Sequence, residues 1–346
     1  MDNSDLILIA LAGFWLTLLL FKLGISYANK IGLVDNPGGR KTHEGSVPLI
    51  GGLVIIPVFA VLSYAAHIPS LMLLAPLLGG VLLLLIIGAM DDKFHIHPWA
   101  RFVIQIWLAC YVVIFCHGEI ENLGNLFGFG DVHLGWFAKF FSVICLVLLM
   151  NAINMLDGMD GLAGGFVAVA LGWLMFAAYS AGFMVFFWAM IFLLVPILGF
   201  LVLNARHLWR KKAAVFLGDA GSLSLALILG WFAIKMAQPQ EANQIMPAVV
   251  IIWIMTVPIM DTFAIFFVRM KQGRSPFQGD RLHAHYQLAD KGISDARVTL
   301  IICGVALLTG GVGYLGSRAG VPDYVLLYSW SAILAWYTYW RIKKDA

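Results

Sequence analysis

Apolar residues in this chain come in long runs separated by short polar stretches. A helix that crosses a bilayer needs about 20 mostly apolar residues. That criterion predicts about eleven spans, over residues 6–29, 48–66, 71–90, 99–117, 136–154, 160–180, 183–204, 214–237, 245–270, 298–316 and 322–341. No segment alternates polar and apolar positions for long enough to make a barrel strand. The pattern therefore predicts an all-α polytopic membrane bundle. No internal repeat, low-complexity tract or linker divides it, so residues 1–346 are expected to form a single integral-membrane domain.

Composition agrees and narrows the class. Hydrophobic residues make up 61% of the chain and charged ones 12%, against about 45–50% and 25% in soluble domains. A soluble enzyme, a disordered protein and a disulfide-rich secreted module are excluded. The net charge of +3 suggests no nucleic-acid partner. Cys110, Cys116, Cys145 and Cys303 sit in apolar runs without CxxC spacing and read as packing residues. The first apolar run lacks a basic leader and is expected to stay as a helix.

Placement of the charges orients the bundle. Loops after odd-numbered spans carry most of the Lys and Arg, including Arg40, Lys41, Arg101, Arg206 and Arg281. The loop 118–135 has three acids and no Lys or Arg. By the positive-inside rule the N-terminus lies outside and the C-terminus in the cytoplasm.

Acids near a membrane core are costly and usually have a task. Asp91, Asp92, Asp157, Asp160, Asp219 and Asp261 come from four segments, and span parity puts all six at cytoplasmic helix ends. A solvated interfacial cap is the bland alternative for any one of them, and Asp261 could pair with Arg269. Asn151, Asn154, Asp157 and Asp160 recur every three residues, beside Gly158 and Gly161. Hard oxygen donors with open positions suit Mg²⁺ or Mn²⁺ bridging substrate phosphates. Asp219 is flanked by glycines, and the nearby Phe216 could stack on a flat ring. Arg101, Arg281, His283 and His285 lie on the same side and could hold phosphates. Metal-holding acids with phosphate-holding cations describe a phosphoryl-transfer site. The rival reading, a secondary transporter, would place its acids near the midplane in repeat-related positions.

These same segments resemble the polyprenyl-phosphate N-acetylhexosamine-1-phosphate transferases. The likeness runs from about Gly32 to Arg297 through Gly32-Leu-Val-Asp35, Arg40-Lys-x-His43, Pro48 to Gly52, Gly88-Ala-Met-Asp-Asp92, Asn151 to Gly161, Val215 to Ser222, Pro258-Ile-Met-Asp261 and Ser275-Pro-Phe-x-x-Asp-Arg281. It looks closest to the bacterial branch that acts on undecaprenyl phosphate with an N-acetylglucosaminyl donor and starts O-antigen and related surface glycans. One departure is visible: that branch carries His-x-His-His, where this chain has His283-Ala-His285-Tyr286.

The resemblance implies a multi-pass enzyme of the bacterial inner membrane, its site facing the cytoplasm. Its partners would be a UDP-N-acetylhexosamine, undecaprenyl phosphate and membrane lipid; a homodimer is compatible with it. UDP-GlcNAc is the expected donor, with UDP-GalNAc or a 6-deoxy or diamino sugar as the alternative. It further implies that Asp219 and Asn154 hold Mg²⁺ (or Mn²⁺) or its diphosphate shell. Asp91, Asp92 and His283 would be the catalytic group. Arg40, Lys41, Arg101, Asp157, Asp160, Phe216, Arg281 and His285 would contact substrate. A phosphate monoester has its second pKa near 6, so the lipid phosphate hardly needs a base. Asp91 or Asp92 would then orient acceptor or metal, a covalent phospho-aspartyl route being the other option.

Overall fold

The computed structural model describes residues 2–36, 45–67, 71–94, 96–207, 209–238, 244–275 and 280–345. Among them are thirteen α-helices: α1 Asn3–Ile31, α2 Gly51–Ala65, α3 Leu71–Phe94, α4 Pro98–Phe115, α5 Ala138–Leu156, α6 Leu162–Ser180, α7 Met184–Asn204, α8 Gly218–Ala237, α9 Ala248–Ile254, α10 Thr256–Lys271, α11 Ala284–Asp290, α12 Asp295–Arg318 and α13 Asp323–Asp345. A two-residue antiparallel ladder joins β1 Val34–Asp35 to β2 Val47–Pro48. Every segment predicted from hydropathy contains a helix or a broken pair. Among the described residues eight helices are long and apolar enough to cross a membrane, or up to nine spans if the α9–α10 pair counts as one. Helix α2 has only 15 residues.

The termini follow from local chemistry. The Asp2 side chain accepts from the Asp5 N–H at 2.9 Å and caps α1. Gly32, at φ +70°, ends it in the left-handed conformation. Pro98 opens α4, where its missing N–H costs nothing.

The ninth span was expected to be continuous and is not. Helices α9 and α10 meet at Met255 with a 74° bend. Pro258, the third residue of α10, cannot donate back to the Ile254 carbonyl. The Thr256 hydroxyl instead donates towards the Trp253 and Ile252 carbonyls, at 2.7 and 3.2 Å. It also accepts from the Trp330 indole at 2.9 Å, which ties the break to α13.

Helix α8 is the axis. All its residues except Asp219 are buried, and α2, α3, α5 and α6 pack around it. Lipid tails are as apolar as leucine, so close packing of small residues must hold such an axis. A Cβ on Gly52 would lie 2.4 Å from the Gly221 Cα, and one on Gly88 2.4 Å from the Ala220 Cα. The outward faces carry Trp15, Leu19, Ile86, Trp107 and Leu308, as a lipid-facing surface requires.

Because backbone cannot yield at these crossings, Gly52→Val is expected to destabilise the bundle by about 1–3 kcal/mol or more. The control Gly172→Ala, inside α6, meets nothing within 4 Å and should not lower the melting temperature. Thermal unfolding of both variants in detergent, read by circular dichroism, checks this.

Candidate active site

One end of the bundle opens into a cavity of 710 Å³. Its walls come from the chain just beyond α1 and the C-terminal ends of α3, α5 and α7, with the N-terminal ends of α8 and α12. In an alternating bundle these ends share a face. Asp91, Asp92, Asp157, Asp160 and Asp219 all line the cavity, from three separate stretches of chain.

The centre of the site is a hydrogen-bonded knot. One guanidinium nitrogen of Arg101, Nη1, lies 3.0 Å from Asp91 Oδ2 and 2.7 Å from Asp219 Oδ2. Asn154 Nδ2 donates to Asp219 Oδ1 at 2.6 Å and to Ser222 Oγ at 2.9 Å. The other oxygen of Asp91 accepts from the Ile96 N–H at 2.7 Å. Asp92 has a different partner set: it accepts from the backbone N–H groups of Asp219 and Ala220, at 2.9 and 3.3 Å. It thus caps α8 from another helix, where the unsatisfied N–H groups favour a carboxylate. Gly218, at φ +74°, makes room for it, since a Cβ there would sit 2.6 Å from Asp92 Oδ2. Phe216 is fixed by its backbone, donating to the Pro48 carbonyl at 2.8 Å and accepting from the Gly51 N–H at 2.9 Å.

A second knot closes the far wall. Arg206 bridges Asp160 and Asp295, 2.7 Å from each. Asn204 accepts from the Gly161 N–H at 2.7 Å and donates to the Val215 carbonyl at 2.8 Å, joining this wall to the chain entering α8. Asp157 faces the cavity without a side-chain hydrogen bond among the described residues. Burial, with the Asp219, Asp92 and Asp160 carboxylates nearby, holds it well above the usual carboxylate range.

The segment 280–290 forms the third wall. Arg281 and Tyr286 line the cavity, the guanidinium lying 4.5 Å from the tyrosine ring centre. Tyr286 stands where the branch pattern has its third histidine. Neither His283 nor His285 is among the residues that line the cavity. His283 Nδ1 is 2.8 Å from Asp261 Oδ2, and the buried carboxylate draws the ring inward. His285 is fully buried against Tyr286, ring centres 4.1 Å apart, and burial pushes it down to about 4. Arg269, the structural partner open to Asp261 by spacing, is bound to Asp280 instead, by two bonds of 3.0 and 2.9 Å. Although burial raises it, Asp280 is held below the usual range by this contact. Arg40 and Lys41 lie outside the described residues.

The chain is 33% identical over 352 residues to the undecaprenyl-phosphate alpha-N-acetylglucosaminyl 1-phosphate transferase of Escherichia coli (strain K12), covering 99% of this chain and 91% of that one. It is 32% identical to the Haemophilus influenzae protein of the same name, over 98% of this chain and 95% of the relative. The glycosyl transferase family 4 profile matches residues 73–237. The chain belongs to glycosyl transferase family 4. That match takes in the Asp91–Arg101–Asp219 knot and the Asn154–Asp160 row, whereas the 280–290 wall lies beyond it.

Several residues in or beside the cavity of this family 4 protein carry little signal in the sequence. Arg206 reads as a topology cation until the fold sets it between two acids. Asn204 and Ser222 lie in apolar runs, where a lone polar residue signals little. Asp295 reads as the first-turn acid of a helix. A carboxyl raised in the folded state loses stability as pH climbs from about 4 through its folded value. Asp157→Asn should therefore be more stable than the parent near neutral pH, and the difference should vanish below about pH 4. Melting temperatures of both proteins across that range test the sign; a constant offset would refute it.

Proposed function

We propose that the chain transfers N-acetylglucosamine 1-phosphate from UDP-GlcNAc to undecaprenyl phosphate, yielding UMP and undecaprenyl-diphospho-N-acetylglucosamine. The observation that carries the reading is the chain-long one-third identity to proteins named for this transfer. The chemistry of the cavity supports it. A soluble nucleotide sugar and a lipid phosphate can meet only at a membrane interface, and the acid-rich cavity lies at the ends of the helices.

In the step, an oxygen of the lipid phosphate attacks the β-phosphorus of the UDP-sugar. A new diphosphate bond forms, the bond from the β-phosphorus to the oxygen it shares with the α-phosphorus breaks, and UMP leaves with that electron pair. No proton need move, since the acceptor is mostly a dianion above pH 6. Arg101 faces the cavity from one wall, Arg206 and Arg281 from the others, and these cations are the groups suited to bind and orient phosphate oxygens. Phe216 offers a ring to the nucleobase or sugar. Asp92 serves the site by holding Asp219 through the first turn of α8.

A divalent cation fits this donor set. The cavity is lined by eight aspartates and three arginines, an excess of negative charge that would repel a diphosphate. Among the described residues no three acidic, histidine or cysteine groups converge as a ready-made cage. Mg²⁺ commonly takes one or two carboxylates and completes its shell with water and substrate phosphates. Asp219 and Asn154 would hold it here. The ion, when bound, offsets charge on the diphosphate and on the leaving UMP.

The charge pattern and the helix order support eleven crossings, with the cavity facing the cytoplasm and the N-terminus outside. Other UDP-N-acetylhexosamines remain the competing donors, because Tyr286 departs from the branch pattern on a cavity wall.

Purified protein is expected to release UMP from UDP-GlcNAc only with undecaprenyl phosphate present, and faster than from UDP-GalNAc. EDTA should abolish the release, with Mg²⁺ or Mn²⁺ restoring it. Asp219→Asn should lower turnover at least about 10²-fold with normal membrane insertion. Near-normal turnover in that variant would remove Asp219 from the site.

A further inference from the structure

The C-terminal helix α13 contributes no residue to the cavity, yet it carries the fully buried cation Arg341. A buried guanidinium is costly unless paired and hydrogen-bonded. Its Nη2 donates to the Leu282 carbonyl. Its Nη1 donates to the Tyr337 hydroxyl, one helical turn back, at 2.9 Å, and lies 3.5 Å from Asp261 Oδ1. The Tyr337 hydroxyl itself is 3.3 Å from Asp261 Oδ1. Asp261 in turn accepts from His283 Nδ1 at 2.8 Å and from the Ala284 N–H at 3.1 Å.

Three of these bonds reach Leu282, His283 and Ala284, between the two cavity residues Arg281 and Tyr286, and the others tie Arg341, Tyr337 and Asp261 together. The seven-residue α11 that follows is too short to hold its own position. Its bearings are the charges buried in α10 and α13.

We infer that Arg341 is a positioning residue for the transfer reaction: from α13, through Asp261 and Leu282, it holds the 280–290 wall so that Arg281 and Tyr286 face the nucleotide sugar. This rests on the proposed reading of the cavity as the donor site. Arg341 acts on the donor through Arg281 and Tyr286 and leaves the Asp91–Arg101–Asp219 knot untouched.

Full-length Arg341→Met, Tyr337→Phe, Arg281→Ala and the double variant Arg341→Met/Arg281→Ala test it, with initial rates measured against each substrate. In Arg341→Met and Tyr337→Phe the KM for UDP-GlcNAc should rise about 10-fold while that for undecaprenyl phosphate stays within about 2-fold. The double variant should lose less than the product of the two single losses, because Arg281 lies on the path from Arg341 to the donor. Unchanged donor KM, equal loss for both substrates, or a full extra factor in the double variant would overturn the inference. If Arg341→Met does not fold, Tyr337→Phe decides on the same criteria. If the parent releases no UMP from any UDP-sugar, the functional reading fails by itself. Amide exchange across 282–290 then still decides: faster exchange in Tyr337→Phe supports the positioning role, and unchanged exchange refutes it.

Discussion

The first turn of α8 begins inside the bundle, with every residue but Asp219 buried. Backbone donors in that position need acceptors, and their absence would cost more than a single ordinary hydrogen bond contributes. Asp92 supplies two of the bonds from the end of α3. Much else depends on this contact. Gly218 must lack a side chain to admit the carboxylate, and Gly88 must lack one for α3 to come close enough to deliver it. With α8 held this way, Asp219 is the one residue of the helix that is not buried. The contact that seats the central helix therefore also aims the carboxylate at the heart of the cavity.

The cavity walls show the same economy of charge. Arg101 joins Asp91 to Asp219, and Arg206 joins Asp160 to Asp295. Each arginine bridges two carboxylates from different elements, so each holds walls together as well as facing the cavity. A phosphate that engages them competes with carboxylates for the same donors. Guanidinium, with five N–H donors, can serve both at once where an ammonium on a flexible stem would serve them less well. Five acids in excess of the arginines line the cavity, a charge that the proposed divalent cation would offset.

Much of this was legible in the sequence because membrane helices announce themselves by length and hydropathy alone. All eleven apolar segments contain helix, and five of the six singled-out acids share the cavity. The break at Met255 was hidden because Pro258 and Thr256 sit in a run as apolar as any other. The partners of Asp261 were hidden for a related reason. Its spacing from Arg269 on one helix suggested a local pair, but the chain folds His283, Tyr337 and Arg341 onto it from far away. Tertiary partners outcompeted the sequence neighbour, and Arg269 turned to Asp280 instead.

What the sequence by itself determined was the solvent, the helices and the end of the bundle where chemistry gathers. Those follow from composition, apolar run length and charge asymmetry, which are properties of stretches of chain. Only the tertiary structure decided which acid caps a helix, which bridges an arginine, and which histidines lie behind the wall. A carboxylate's task depends on the donors within about 3 Å of its oxygens, and in a bundle those donors come from helices that lie far apart in the sequence. Asp91 and Asp92 are adjacent in the chain, yet one meets a guanidinium and the other a helix N-terminus.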